Sequence, residues 1–313
     1  MNPRRKGDTA PKAFGVIHGS NPCGVERFEK IADMSYRLKT GEGLAAGIRR
    51  IAREQLEGAL CEIATVTAAN EAAAVHAARK YLKKTRALLR LVRDEIGPEI
   101  FKEENRFLRE VARGFSGPRD VRVQLQLLEK LREQAPPCLT FEQTAATLQE
   151  EIATHADSFG PQRQEAETTL QRICDRLEGW PLDGLGIDDL CCALRDSYRR
   201  GRKCFRRACA QATPENFHSW RRRVKDFWYQ ARLLRNLNPA VMGEITEAAG
   251  TLGQKLGDLH DLAFFRLHLE VEPGICEEER SALLGLSNAG ERELEEIVLD
   301  LGARFFCRET RSV

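Results

Sequence analysis

No apolar run in the chain approaches the ~20 residues that a membrane-spanning helix needs, so no membrane partner is expected. Aromatic residues are few, at 7%, and no segment alternates apolar and polar residues as a half-buried strand does. The ten cysteines include no C-x-x-C pair and no close Cys/His cluster. No zinc site is indicated, and reduced, mostly structural thiols are expected. A Walker loop, a nucleophile elbow and a Gly-rich dinucleotide fingerprint are all absent. The opening stretch MNPRRKGDTAPKAFGVIHGS starts on a basic cluster but has no apolar h-region. It does not read as a secretory signal, and a cytoplasmic location is expected.

What is present is Leu, Ala, Glu and Arg in abundance, a mix that favours helix. Charged residues make up 31% and hydrophobic residues 42% of the 313 residues, which suits a soluble globular protein of one large or two medium domains. Residues 1–42 are rich in Gly, Pro and polar side chains and read as a loose tail with one short helix, Val25–Leu38. After that the pattern is helical. It predicts helices over Leu44–Val66, Glu71–Ile96, Pro98–Arg113, Pro118–Glu133, Phe141–Ser158, Gln162–Leu177, Ile187–Gln211, Pro214–Leu237, Ala240–Leu256 and Asp258–Leu269, with two more between Glu277 and Phe306. Pro98, Pro118 and Pro214 suit first-turn positions, while Gly97, Gly117, Gly160 and Gly201 mark breaks or tight spots.

The chain repeats itself. FHSWRRRVKDFWYQARLLR, from Phe217, aligns with VHAARKYLKKTRALLRLVR, from Val75. His76 then matches His218, Arg79 matches Arg221, Lys80 matches Arg222, Lys83 matches Lys225, Arg90 matches Arg232 and Arg93 matches Arg235. A second match sets Arg119-Asp120 against His260-Asp261, and a weaker third sets GIRRIAREQ, from Gly47, against ALRDSYRRG, from Ala193. Three matches in one order imply a duplicated unit over about 43–180 and 181–313, each half a bundle of about four helices.

The stretch from Val75 to Arg93 contains no acid, although the net charge of the chain is only +2. Each helical residue advances ~100°, so His76, Arg79, Lys83, Arg86, Arg90 and Arg93 form one stripe. Leu82, Leu89, Val92 and Ile96 form a core seam rotated by on the order of 110°. In the second copy His218, Arg221, Lys225, Arg232 and Arg235 repeat the stripe, with Trp228 interrupting it, and Val224, Phe227, Ala231 and Leu234 form the seam. A solvated helix face usually mixes acids with its cations at i,i+4. This one does not. The acids lie elsewhere, as in Glu103-Glu104, Glu150-Glu151 and Glu277–Glu279, too far to cancel it through salt. A polyanion is the expected source of the missing charge.

The duplicated His-x-x-Arg-x-x-x-Lys pattern, at 76–83 and 218–225, resembles the CHAD family, the conserved-histidine α-helical domains. So do the Arg-Asp and His-Asp pairs that follow, and the stretch Tyr198–Lys203. The resemblance runs from about Gly43 to the C-terminus. It implies an all-α fold of two four-helix bundles related by a pseudo-twofold axis, with a basic pore or groove between them that binds inorganic polyphosphate. It implies a binding module rather than an enzyme, found in some members on polyphosphate granules or joined to polyphosphate-metabolising enzymes, which are the expected protein partners. The second copy departs from the family pattern: Asp226 and Trp228 stand where cations are usual.

The expected polyphosphate ligands are Arg49, Arg50 and Arg53; His76, Arg79, Lys80, Lys83, Arg86 and Arg90; Arg119; Arg199, Arg202, Lys203 and Arg206; His218, Arg221, Arg222, Lys225 and Arg232; and His260. Arg79, Lys83, Arg86 and Arg90 are expected to carry most of the affinity. Arg binds phosphate oxygens as a fork and Lys as a point charge. Two roles stand open for His76 and His218, phosphate contact or a structural bond to Asp120 or Asp261. A metal-dependent phosphohydrolase built on His260-Asp261 would need further ligands such as His218 and His268. Its first-half counterpart has Arg119, which cannot ligate, so no catalytic residue, metal or cofactor is assigned. Weak nucleic-acid binding is expected from the same charge. Stacking on bases is not, since only Trp228 interrupts the stripes.

Overall fold

The computed structural model describes residues 36–67, 70–115, 117–136, 139–155 and 159–306. Among these the apolar periodicity becomes eleven α-helices and no strand. They are α1 (Leu44–Ala64), α2 (Glu71–Leu91), α3 (Arg93–Ile96), α4 (Pro98–Gly114), α5 (Gly117–Arg132), α6 (Glu142–His155), α7 (Phe159–Arg176), α8 (Ile187–Ala210), α9 (Pro214–Leu233), α10 (Pro239–Val271) and α11 (Glu277–Phe306). Local chemistry fixes several ends. Pro98, Pro214 and Pro239 open α4, α9 and α10 at positions that need no amide hydrogen. The side chains of Thr213 and Asn238 accept hydrogen bonds from the first turns of α9 and α10. Gly97 takes φ +81°, which lets the chain turn between α3 and α4.

Four of the predicted helices or pairs differ from the observed ones by more than a few terminal residues. The helix expected over Glu71–Ile96 stops at Leu91 and resumes as the single turn α3, and the one expected over Pro214–Leu237 ends at Leu233 in a 3-10 turn. The two helices expected over Ala240–Leu256 and Asp258–Leu269 are one, and so are the two expected between Glu277 and Phe306. Glycine lowers helix propensity by only about 1 kcal/mol, a cost that α10 absorbs at Gly257 and α11 at the closely packed Gly302. Gly160 lies inside α7 rather than at a break. Of the short helix expected over Val25–Leu38, residues 25–35 lie outside the described residues, and Tyr36–Leu38 is not helical. The compact unit nonetheless reaches upstream of Gly43, because Tyr36 and Leu38 are buried.

α2 packs against α1, α4 and α9, and α7 packs against α1 and α4. Their shared core includes Ile48, Ile51, Leu56, Leu82, Leu89, Leu108 and Leu170. α10 lies between α9 and α11, and the α5–α6 hairpin packs on the same group through α5. This second core includes Leu128, Phe141, Leu148, Trp220, Leu252, Phe265 and Leu294. Both predicted seams are buried, Leu82, Leu89, Val92 and Ile96 on one side and Val224, Phe227, Ala231 and Leu234 on the other. Among the described cysteines only Cys174 is buried, where burial pushes its thiol up to about 11. Cys61, Cys191, Cys192, Cys209 and Cys276 are exposed, so the expectation of mostly structural thiols does not hold. Among the described residues no helix is long and apolar enough to cross a membrane.

The end of α11 closes the second core with aromatics. Phe306 stacks on Phe205 of α8 at 5.6 Å, and Trp220 of α9 stands 5.1 Å from Phe205. Gly302 admits these rings: a Cβ there would fall 2.6 Å from Trp220 and 2.7 Å from Phe205. The Gly302→Val protein should lose about 1–3 kcal/mol of stability through overpacking, despite the gain in helix propensity. A urea unfolding curve with an unchanged midpoint would show that the ring cluster yields instead.

Candidate functional site

The two cationic stripes lie on α2 and α9, and these helices pack against each other. Phe217, Trp220, Val224, Phe227 and Ala231 recur at helical spacing and are buried, which turns Arg221, Arg222 and Lys225 toward the flanks of α9. The contact is pinned by polar groups. The buried Gln230 amide donates to the Ala87 carbonyl at 3.0 Å. The Tyr36 hydroxyl donates to the Lys84 carbonyl, and the Leu38 amide to the Leu233 carbonyl, both at 3.0 Å, so Tyr36–Leu38 straps both helices.

Arginines collect where α2 meets α9. Arg90 Nη1 stands 3.1 Å from Asp226 Oδ1 and also donates to the Arg86 carbonyl at 2.9 Å. Arg223 reaches the same carboxylate at 3.8 Å. Arg86 donates through Nε to Asn105 Oδ1 at 3.2 Å. Burial and then the Arg90 charge push Arg86 down to about 10; Arg222 and Arg109 act with them and Asp226 against them. Arg90 is lowered as well, by burial first, with Arg222 and Arg223 adding to it and Asp226 opposing. A guanidinium held below its usual range marks a place where positive charge is crowded and poorly hydrated.

The other flank of α9 faces α10. The Lys225 amine lies 4.9 Å and the Arg232 guanidinium 4.6 Å from the Trp228 ring centre. Trp228 and Lys225 can lie close to α10 because it presents glycines to them. A Cβ at Gly250 would stand 3.0 Å from Trp228, at Gly253 3.3 Å from Lys225 and at Gly257 3.7 Å from Arg221. Burial, with Arg221 and Arg232 beside it, pushes Lys225 down to about 8, against the pull of Asp258 and Asp261. His218 is also lowered, by burial and then by Arg221 and Arg222. Its Nδ1 faces Nδ1 of His260 at 3.4 Å.

Other expected ligands are bonded to groups outside this cluster or lie exposed. Arg49 donates to the Trp180 carbonyl at 2.7 Å and pairs with Asp183, Arg50 is held by Glu42 and Glu54, and Arg53 pairs with Glu178. Arg79 donates to the carbonyls of Ala112 at 2.7 Å and Phe115 at 3.0 Å, closing the C-terminal end of α4. His76 and Lys83 are exposed on α2 and Lys80 is half-buried. On α8, Arg199 pairs with Asp196, Arg202 is half-buried, and Lys203 and Arg206 are exposed. The Arg119 side chain lies outside the described residues. His268, weighed as a partner of His260, instead joins Glu151 and Glu272.

The family model of the CHAD domain matches residues 50–270. The chain belongs to the CHAD domain family. No curated protein matches the chain. The matched CHAD region spans both α2 and α9 and therefore the whole seam.

Sequence reasoning passed over the part played by six residues in this CHAD domain. Arg109 and Arg223 lie off the idealised stripes, and only the packing of α4 and α9 brings their charge to Arg86 and Arg90. Asp226 looked like a loss of charge, yet it is the acid about which the arginines gather. The glycines at 250, 253 and 257 share one helix face, a pattern present in the sequence but not used, only position 257 being taken as the gap between two helices. Chemically, the site offers guanidinium forks and an ammonium on stiff helices, suited to several anionic oxygens at once.

Two substitutions separate structural from crowded cations. Arg79→Gln removes two charge-assisted bonds and should lower stability by about 1–3 kcal/mol. Arg222→Gln removes repulsion and should leave stability unchanged or raise it, as read by chemical denaturation at low salt. The opposite ranking would contradict both assignments.

Proposed function

We propose that the chain binds inorganic polyphosphate, without turnover, in a cationic groove between two duplicated four-helix units. In this reading α1, α2, α4–α5 and α6–α7 make up the first repeat and α8, α9, α10 and α11 the second, with α5 and α6 crossing over to pack in the second core. The lengths support it, since α4–α5 covers 98–132 and its counterpart α10 covers 239–271. The observation that carries the function is the cluster of Arg86, Arg90, Arg222 and Arg223 around the single carboxylate of Asp226. A bound polyanion would supply the missing charge and offset the burial, and after it the repulsion, that lower Arg86 and Lys225. Members of the CHAD family are expected to bind such chains, and a cytoplasmic site of action, with polyphosphate granules as the destination and a polyphosphate-metabolising enzyme as a partner, goes with that reading. Nucleic acid fits less well, because Lys225 and Arg232 both lie against the Trp228 ring that a base would stack on.

Calorimetric titration with long-chain polyphosphate at two salt concentrations tests this directly, with RNA and single-stranded DNA as competitors and phosphate release followed with and without divalent metal. Tight binding that weakens with salt, no release and poor competition are expected. The Arg222→Glu, Arg223→Glu double variant should bind about tenfold more weakly or worse, since one charge-assisted bond is worth about 1.5–3 kcal/mol. Dominant RNA binding or metal-dependent phosphate release would overturn the proposal.

Lys225 adds a pH signature. It is charged below about 8 and loses its proton as pH rises through that value, so polyphosphate affinity should fall above pH 8. In Lys225→Met the fall should be shallower. Identical profiles for the two proteins would remove Lys225 from the site.

A further inference from the structure

His268 lies in the last turn of α10, and Glu272, four residues on, is the residue that ends it. Glu151 approaches from α6. One ligand atom from each lies within 4.8 Å of the other two, and all three residues are partly buried. Tetrahedral Zn²⁺ with ordinary bond lengths holds its ligand atoms about 3.3–3.5 Å apart, so a modest inward movement would close such a shell.

A second observation points the same way. His268 Nε2 is shielded from solvent and has no hydrogen-bond partner among the described residues. The nearest carboxylate oxygen, Glu151 Oε1, is 3.5 Å away, too far for a good hydrogen bond. A shielded ring nitrogen left in that state is costly, and a metal would satisfy it. The surroundings also pre-position one carboxylate and tie the two elements together. The Gly274 amide donates to Glu272 Oε1 at 3.1 Å, and the Cys276 amide donates to Gln143 Oε1 of α6 at 3.0 Å. A Cβ at Gly274 would crowd Glu272 Oε1 at 3.3 Å. The nearby Arg280 guanidinium donates to the carbonyls of Leu269, Glu272 and Ile275 and so caps α10.

We propose that Glu151, His268 and Glu272 form a binding site for a divalent transition metal, with Zn²⁺ the first choice, that clips α6 to the end of α10. One imidazole and two carboxylates suit Zn²⁺ or Co²⁺ better than Mg²⁺ or Ca²⁺, which prefer oxygen alone. Three protein ligands leave a position for water. His268 lies about two helical turns beyond Asp261 on α10, and none of the three ligands is among the cations of the seam, so the proposal does not depend on polyphosphate binding.

The test is Co²⁺ titration of the full chain after chelator treatment, with exposed thiols blocked by iodoacetamide. Saturation at one equivalent with a visible ligand-field band, and displacement by Zn²⁺, are expected. Both His268→Ala and Glu272→Gln should weaken Co²⁺ binding about tenfold or more, and Co²⁺ should raise the melting temperature of the parent chain alone. Glu272→Gln is nearly isosteric and keeps the test valid should His268→Ala fold poorly. No saturable binding, binding through thiolates only, or equal affinity in the parent and both variants overturns the site.

Discussion

Arg90 and Asp226 meet at 3.1 Å where two helices, each carrying a stripe of cations, are packed together. The apolar seams force that arrangement. Leu82 and Leu89 of α2, and Trp220, Val224 and Phe227 of α9, must reach the interior. Each such side chain contributes about 1.5–3 kcal/mol by leaving water. A like-charge pair on a helix surface costs only a few tenths. The core therefore decides the rotation of both helices, and the arginines are carried into proximity with it. Anion binding in the proposed groove would be favoured by a strain that folding itself creates.

The fold contains that strain in several ways. Asp226 stands within reach of Arg90 and Arg223. Trp228 offers its ring to Lys225 and Arg232. Lys84 is fully buried on α2, with its amine 5.3 Å from the ring centre of Tyr36 and 5.8 Å from that of Tyr81. Glycines on α10 let Lys225 and Trp228 lie close to its backbone. Because these cations sit on packed helices rather than loops, little conformational freedom is left to lose when an anion arrives.

Much of this could be read in the sequence, for identifiable reasons. The seams Leu82–Ile96 and Val224–Leu234 were legible because helical periodicity survives any tertiary context. The stripe at His76–Arg93 was legible because acids are missing from it. What one helix cannot reveal is its neighbour. Arg79 sits on the stripe like Arg86, yet it closes α4, because only the fold brings the carbonyls of Ala112 and Phe115 to it. Arg109 and Arg223 belong to the cluster although they are off the stripe. Gly257 resembled a break because propensity was visible and the Arg221 side chain against it was not.

Arginine footprinting tests the central claim most directly. The protein would be treated with phenylglyoxal, with and without long-chain polyphosphate, and each arginine followed by mass spectrometry. If the crowded seam is the anion site, polyphosphate should suppress modification of Arg222, Arg223 and Arg86 while leaving Arg106 and Arg304, on the exposed faces of α4 and α11, unchanged. Protection centred on Arg199 and Arg206 of α8, or spread evenly over every exposed arginine, would contradict the account.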